Sequence, residues 1–553
     1  PPVDNAPYDV VRLWFAFTGE AAPGAAPGGS VQIRCVETNE VFDVTLSANT
    51  VQRPTTGVVF CLDKSGSMSG PAGTGGTRMQ LLHEAASRCI ELIRDGSGAG
   101  LVSFDHDAYP GQPLQPFQAA STHRDDVRNA ALALSPGGAT SIGDGIELAR
   151  TTLNAGAAPF QGQALVVLTD GLENQPKFLD QVSGSIDTRT FAIGLGTAQQ
   201  VSTDKLSLIA NGTGGYILLT GPLTPDTDSY FLLSKYFQQI LVSATNENIV
   251  TDPSGFLAPG QRVRIPFELA ESEIDATAVL FVDVPAVRLA LQTPAGDVVG
   301  EGDLAALGAQ VTHGTNMTFC RFGLPLPVGA GAHGGTWHVV LEVDGRRLKS
   351  EVSKLSRGTK EGSATNLQLE RLRAHGVRYS VTVSSWSNLR MSARLTQTGF
   401  RPGARLRLDV ALTEYGQPVE RRARVEADVQ RPDGVNLTLA LAEELPGVFG
   451  GEIAAGLEGV WRVRIRARGR TLGGMAFTRE QLLSAALLAG GSTQQPPSSG
   501  GGEGSVECLL RCLAGQPGWE KWLKELGIDG RRLRECLARC GKRDDPKELD
   551  RMG

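Results

Sequence analysis

Two carboxylate and three hydroxyl side chains stand in loops at the ends of predicted strands or helices in the first half of the chain. Asp63, Ser65 and Ser67 alternate directly after a buried apolar run, Thr140 stands before a predicted helix, and Asp170 follows a second apolar run. Ligands of open α/β sheets bind where strands end, so three loops would bring these side chains to one edge. An oxygen-only set suits Mg²⁺ or Mn²⁺. The sequence therefore predicts a divalent metal site.

The alternative for the first loop is a helix cap. Asp63, Ser65 and Ser67 taken alone are equally well explained as a capping turn, because Asp and Ser are favoured capping residues. Thr140 and Asp170, at the expected ends of other elements, supply the structural context that a short motif needs. We therefore favour the metal site over the cap.

Residues beside these loops are candidates for the rim of the ligand site. They are Gly66, Ser141, Gly171 and Glu173. For Glu173 we favour a capping or solvated role over a ligand contact.

Two further loops carry weaker signals. Asp105-His106-Asp107 is interpreted as a polar strand-end loop, because His106 has no partner at ligand spacing. The glycine-rich segment 70–76 lacks the Gly-Lys-Ser/Thr of a phosphate loop and is interpreted as a mobile insertion beside the metal.

The elements that must position the site follow from hydrophobic periodicity. Between residues 54 and 246, short β-branched runs alternate with amphipathic helical stretches, which is typical of a parallel sheet with crossover helices. After residue 247, apolar and polar residues alternate between Pro/Gly turns, which favours antiparallel β-sandwiches.

The predicted fold class is multidomain α/β plus all-β, with a Rossmann-like domain inserted in or flanked by β-sandwiches. The predicted segments are N-terminal strands that join the first sandwich (1–53), the α/β domain (54–246), a β-sandwich (247–375), a second Ig-like β-sandwich (376–480), a helix and flexible linker (481–505) and a four-cysteine helical hairpin (506–553).

The five-residue constellation resembles the metal-ion-dependent adhesion site of von Willebrand factor A domains, over about residues 54–246. The resemblance implies that Ser65, Ser67 and Thr140 bind the ion directly. Asp63 and Asp170 would act mostly through water, and an acidic residue of a partner would complete the coordination shell. It implies no catalytic residue.

The order of an A domain followed by β-sandwiches resembles bacterial relatives of the calcium-activated chloride channel regulators. The animal members carry a metalloprotease domain ahead of the A domain, whereas this sequence contains no His-Glu-x-x-His. Self-cleavage is therefore not expected.

Four clustered cysteines mark the C-terminal segment. Cys508 and Cys512, like Cys536 and Cys540, stand four residues apart and would share a helix face. We favour two disulfides between antiparallel helices over a four-thiolate zinc site, because zinc usually prefers two intervening residues. Disulfides would place the protein outside the cell, on its surface or in the periplasm; a cytoplasmic location is the alternative.

Composition excludes some classes of function. Lys and Arg number 53 against 59 Asp and Glu, and no apolar run approaches the roughly 20 residues of a membrane-spanning helix. We therefore expect neither a nucleic-acid partner nor a membrane span.

The favoured hypothesis is a non-enzymatic adhesion protein that binds a protein ligand with an exposed acidic residue. The alternatives are an intracellular assembly scaffold that uses the same site and, less favoured, a metal-assisted hydrolase.

Overall fold

The structure is a computed structural model. It describes residues 24–25, 28–50, 53–186, 189–201, 203–210, 213–224, 228–314, 316–329, 331–357 and 364–490. The chain divides into two compact units, residues 1–55 and residues 56–553.

The described strands of the first unit pair with each other. They are β1 (Gly24–Ala25), β2 (Gly29–Arg34), β3 (Val41–Leu46) and β4 (Asn49–Thr50). β2 and β3 form an antiparallel hairpin, and β1 pairs with β4. Participation of residues 1–53 in the first sandwich stays a prediction.

The second unit begins with the α/β domain. Its elements are β5 (Thr56–Asp63), α1 (Arg78–Leu92), β6 (Gly98–Phe104), β7 (Ala108–Pro116), α2 (His123–Leu132), α3 (Ile142–Ala155), β8 (Gly162–Thr169), β9 (Thr190–Gly194), α4 (Thr203–Ala210), β10 (Ile217–Leu219) and α5 (Leu232–Ala244). The strand order is β10-β9-β8-β5-β6-β7, parallel except for the antiparallel edge strand β7.

The central strand β5 is buried on both faces. Val58 and Phe60 pack on the side of α1 and α5, whereas Val59 and Cys61 pack on the side of α3 and α4. Burial of an apolar side chain of this size contributes about 1.5–3 kcal/mol. Because β5 and β8 are parallel and in register, Asp63 and Thr169 end at the same edge of the sheet.

The remaining described elements are mainly strands. They are β11 (Asn248–Thr251), β12 (Ser254–Leu257), β13 (Arg262–Leu269), β14 (Glu273–Val282), β15 (Val287–Gln292), β16 (Val298–Gly300), α6 (Glu301–Ala306), β17 (Gln310–Gly314), β18 (Met317–Gly323), β19 (Gly335–Val343), α7 (Gly345–Ser356), α8 (Ala364–His375), β20 (Val377–Ser387), β21 (Leu389–Gln397), β22 (Ala404–Glu414), β23 (Gln417–Pro418), β24 (Ala423–Gln430), β25 (Asn436–Leu445), β26 (Val448–Ala455), β27 (Gly459–Arg470) and β28 (Ala476–Leu487).

These strands form two antiparallel sheets. The smaller has the order β13-β19-β15-β16, and the larger is a 14-stranded sheet that runs from β17 through β14, β20, β11 and β28 to β21. One core is shared between the smaller sheet and the β14–β20 part of the larger one, and a second core fills the region of β21–β28. We call residues 247–490 the β region.

Helices α1 and α5 pack the α/β domain onto the β region. Val279, Phe281 and Phe319 belong to the same core cluster as these helices. The side-chain amide of Gln239 in α5 exchanges two hydrogen bonds with the backbone of Leu482, at 2.6 and 2.7 Å. The α/β domain therefore packs against this sheet through both apolar contacts and hydrogen bonds.

The helix predicted at the start of the helix-and-linker segment 481–505 is wrong where the structure describes it. Residues up to Leu487 belong to β28, which pairs along its whole length with β27. The segment contains good helix formers, but pairing and burial of Leu483, Ala485 and Leu487 override that weak preference.

The predicted boundary at residue 376 is one strand too early. β20 pairs with β14 over most of its length and also with β11 and β12, so it belongs with the first group of strands. Continuous pairing through β11 and β28 is not visible in a periodicity pattern, because periodicity reports burial and not the neighbouring strand.

The expected mixture of an α/β domain with β-rich regions is confirmed, whereas the division into two Ig-like sandwiches stays a prediction. The four-cysteine hairpin lies outside the described residues. No helix in the described ranges is both long enough and apolar enough to cross a membrane.

Candidate metal centre

Asp63 lies at the buried end of β5, and both of its carboxylate oxygens accept hydrogen bonds. The Ser65 amide donates to Oδ1 at 2.7 Å, and the Thr169 hydroxyl donates to Oδ2 at 2.5 Å. Burial, and then the neighbouring charge of Asp170, raise the pKa of the Asp63 carboxyl to about 7. A positive charge nearby would favour its ionised form.

The hydroxyls of Ser65 and Ser67 converge beside this carboxylate. Their Oγ atoms lie 2.9 Å apart, and the Ser67 hydroxyl donates to Asp170 Oδ1 at 2.7 Å. Because this proton points at Asp170, the Ser65 hydroxyl is the donor in its contact with Ser67, and one lone pair of the Ser67 oxygen is left for a ligand. Ser67 is exposed while Ser65 and Asp170 are buried, so the cluster opens to solvent on the Ser67 side.

Thr140 joins the cluster from a third loop. Its amide donates to Asn174 Oδ1 at 2.8 Å, and the Asn174 amide donates to the Thr140 carbonyl at 3.0 Å. A Cβ at Gly171 would lie 3.3 Å from Thr140 Oγ1 and 3.4 Å from Ser67 Oγ. Glycine at position 171 therefore lets two hydroxyls from separate loops face one small space.

Arg78 is a site residue that sequence reasoning missed. It is the first residue of α1, and its Nη1 lies 2.7 Å from Asp170 Oδ2. The preceding segment 70–76 folds back on itself, since Pro71 and Thr77 form a β-bridge and the Arg78 amide donates to the Gly70 carbonyl at 2.9 Å. A basic residue just after the Thr77 cap is the only sequence signal that points to it.

The charge balance of the site follows from these contacts. Asp63 and Asp170 are both almost fully buried, at 0% and 1% exposure. Among the described salt bridges, Arg78 reaches Asp170 and none reaches Asp63. Two buried carboxylates thus share one protein cation.

Residues 58–173, which contain the five predicted site residues and Arg78, match the family of von Willebrand factor type A domains. The chain contains a von Willebrand factor A domain. The resemblance inferred from Asp63, Ser65, Ser67, Thr140 and Asp170 is therefore confirmed at the level of the domain.

Curated relatives match part of the chain. Human calcium-activated chloride channel regulator 4 is 31% identical over 164 residues, which are 29% of this chain and 17% of that protein. Human inter-alpha-trypsin inhibitor heavy chain H4 is 27% identical over 227 residues, 39% of this chain and 23% of that protein. The chain thus spans about a fifth of the length of these relatives.

Solved structures with partial likeness include a von Willebrand factor type A protein from Catenulispora acidiphila. It is 14% identical with a TM-score of 0.29, over 72% of this chain and 74% of that one. The PilB minor pilin from Streptococcus sanguinis is also 14% identical with a TM-score of 0.29, over 40% of this chain and 78% of that one.

The predicted rim of the A-domain site is mostly buried. Gly66 is exposed, and its amide donates to the Gly138 carbonyl at 3.1 Å, which joins two loops. Ser141 and Gly171 are buried. Glu173 is fully buried and accepts from the amides of Gly143 at 3.2 Å and Leu179 at 3.1 Å. Glu173 therefore accepts from the first turn of α3; it is a capping residue and not the solvated one that was the other expectation.

The Asp105 loop adjoins the A-domain site but carries its own cation. Lys64 forms an ion pair with Asp105 and lies over the Tyr109 ring, 4.1 Å from its centre. Burial acts to raise the pKa of the Asp105 carboxyl, but the Lys64 hydrogen bond and backbone contacts outweigh burial and lower it. Asp105 is therefore neutralised within the protein.

The donor set of the A domain fits a hard divalent cation. The five predicted residues offer only hydroxyl and carboxylate oxygens, which Mg²⁺ and Mn²⁺ prefer. Within the described residues, no group of three or more His, Cys, Asp or Glu is arranged to hold a metal, so a site here depends on the three hydroxyls.

Proposed function

We propose that this protein binds a protein partner through a divalent ion, Mg²⁺ or Mn²⁺, held by its A domain. The observation that carries the proposal is the pair of buried carboxylates, Asp63 and Asp170, that share one cation beside clustered hydroxyls. Buried charges are normally paired, so the site has room for one more positive charge.

The chain's own residues would act in two groups. Ser65, Ser67 and Thr140 would hold the ion directly, since their oxygens face one space and the Ser67 proton is directed to Asp170. Asp63 and Asp170 would act mostly through water, because their four carboxylate oxygens already accept hydrogen bonds from the protein. A bound ion would leave a coordination position open to the carboxylate of a partner.

The same contacts favour binding over catalysis. A hydrolase needs a general base aimed at a metal-bound water. The oxygens of both acidic residues are held by Ser65, Ser67, Thr169 and Arg78, which leaves neither carboxylate free for that role. We therefore propose a non-enzymatic protein.

The direct test is calorimetric titration of the full chain with Mg²⁺ and Mn²⁺. The wild type and the Asp107→Asn variant, whose altered side chain is exposed beside the site, should bind one ion. The Asp63→Asn variant should lose binding by at least about 100-fold, since each buried carboxylate contributes several kcal/mol to a cation site. Equal binding by Asp63→Asn and the wild type would overturn the proposal.

The partner's carboxylate is tested on the same samples. Acetate should displace water from bound Mn²⁺ in the wild type, measured as a fall in water-proton relaxation. Glutamate-bearing peptides should compete with acetate, and their glutamine counterparts should not. Competition by both peptides would contradict capture of an acidic residue.

We also propose that the protein acts outside the cell or at its surface. The proposal depends on the clustered cysteines Cys508, Cys512, Cys536 and Cys540, which lie outside the described residues. Thiol counting on protein from its native compartment should find these four oxidised; four free thiols would favour a cytoplasmic protein.

A further inference from the structure

Arg78 gives the metal site a charge that its carboxylates alone would not have. Its guanidinium lies 2.7 Å from Asp170 Oδ2, and its side chain is only 17% exposed. A Cβ at Gly70 would lie 3.8 Å from its Nε, so the guanidinium packs between the first loop and Asp170. This positive charge is thus a fixed part of the site.

The net charge of the site depends on Arg78 both with and without a bound ion. With both carboxyls ionised, as they would be beside a bound cation, Asp63 and Asp170 contribute two negative charges and Arg78 one positive charge, so the protein groups carry one net negative charge. A divalent ion changes that balance to one net positive charge. Without Arg78 the loaded site would be neutral.

We propose that Arg78 determines the specificity of this site for an acidic partner, by lowering its affinity for the metal and leaving the loaded site positively charged. This inference rests on the proposed function of the same site. The neighbouring charges do not replace Arg78, because Lys64 is paired with Asp105 and Lys205 lies 3.7 Å from Glu173.

The position of Arg78 follows from the loop before it. The Thr77 hydroxyl accepts from the Gln80 amide at 3.2 Å, and the Gln80 side chain accepts from the Thr77 amide at 2.9 Å. Such a capping box fixes where the helix begins. The first helical residue therefore projects its side chain from a defined point toward Asp170.

Three substitutions separate the charge of Arg78 from its packing. Arg78→Lys keeps the charge but loses the planar fork. Arg78→Gln keeps a donor and loses the charge, and Arg78→Met keeps only the apolar length. The measurements are calorimetric affinity for Mg²⁺ and displacement of Mn²⁺-bound water by acetate, on the full chain.

A charge role predicts opposite effects on the two ligands. Arg78→Gln and Arg78→Met should bind Mg²⁺ about tenfold more tightly, because removal of a nearby positive charge removes repulsion. Their loaded sites should bind acetate about tenfold more weakly, since the net charge falls from one to zero. Arg78→Lys should stay within about threefold of wild type for both ligands.

Other outcomes overturn the inference. If all three variants bind both Mg²⁺ and acetate more weakly, Arg78 only supports the fold of the site. If the variants match the wild type, its charge has no effect. A wild type that binds no divalent ion would instead refute the proposed function, which the wild-type titration shows before any variant is made.

Discussion

Buried acidic side chains occur both in the A domain and in the β region, and their positive partners differ. In the β region, Glu273 lies 2.7 Å from Arg479, and both side chains are fully buried. In the A domain, Arg78 reaches Asp170, and no described salt bridge reaches Asp63. The β region thus pairs this carboxyl group with its own cation, whereas the A domain has two buried acidic side chains and one cation beside solvent.

Outside the candidate metal site, other buried carboxylates are also paired with a cation of the protein. The ion pairs are Lys235–Asp252 at 3.0 Å, Arg371–Asp283 at 2.8 Å and Arg422–Glu414 at 2.8 Å. A buried charge without a partner costs several kcal/mol. The proposed binding role of Asp63 and Asp170 would therefore be gained at a loss of stability in the metal-free protein.

The largest effect should come from Arg479→Met in the β region. Loss of this cation leaves Glu273 buried without its partner and should lower the free energy of unfolding by about 3–5 kcal/mol. Chemical denaturation measures the loss. Arg405→Met is the matched control, because its partner Glu452 is exposed and such pairs contribute at most about 1 kcal/mol.

The double variant Glu273→Gln/Arg479→Met tests whether the charge, and not the packing, causes the loss. It removes both charges together and should be more stable than Arg479→Met alone. If it is less stable, the comparison between the two regions does not rest on charge.

Metal removal should produce the next largest effect, and only through the A domain. Mg²⁺ at about 100 times its dissociation constant should stabilise the wild type by about 2.7 kcal/mol over a chelator-treated sample. Asp63→Asn should lose that response, and the metal-free variant should be no less stable than the metal-free wild type, because the repulsion between Asp63 and Asp170 is removed. Thermal unfolding with and without chelator measures both.

How far the sequence predicted this site depends on where each residue lies relative to a strand end. The roles of Asp63 and Asp170 follow from two apolar strands that the sequence shows plainly, and their common edge follows from parallel pairing. The position of Arg78 depends on how segment 70–76 folds back so that Thr77 pairs with Pro71. Hydrophobic periodicity and composition do not predict such a loop conformation.

The β region was harder to predict, because its neighbours in space are far apart in sequence. Gln481 in β28 shows why: its side chain contacts the backbone of Ala393 in β21 at 3.1 Å, across 88 residues. The helix propensity of its residues predicted a helix for this segment. Contacts with strands distant in sequence outweigh that propensity, and the segment is a strand.

A smaller effect is expected from Lys235→Met, at the contact between the A domain and the β region. Asp252 would lose Lys235 but keep Arg464 at 3.7 Å and the Thr382 hydroxyl at 2.9 Å. The expected loss is about 2 kcal/mol, typical of a hydrogen bond to a charged group. A loss equal to that of Arg479→Met, measured by the same denaturation, would show that the second cation does not compensate.

The smallest effect should come from a carboxylate whose cation is exposed. The side-chain hydrogen bond from Arg288, and then the backbone amide of Arg347 at the start of α7, lower the pKa of Asp344 to about 2. Because the folded pKa lies below the unfolded value of about 3.9, the stabilisation is complete above pH 4 and is lost as the pH falls through about 2.

Asp344→Asn should therefore be less stable than the wild type at pH 7, and the difference should shrink between about pH 4 and pH 2. Arg288 is 64% exposed, so added salt should reduce the difference at pH 7. Denaturation midpoints across this range test both points. A difference that stays constant with pH would mean that Asp344 acts as a neutral helix cap, and that paired charge matters in this protein only where it is buried.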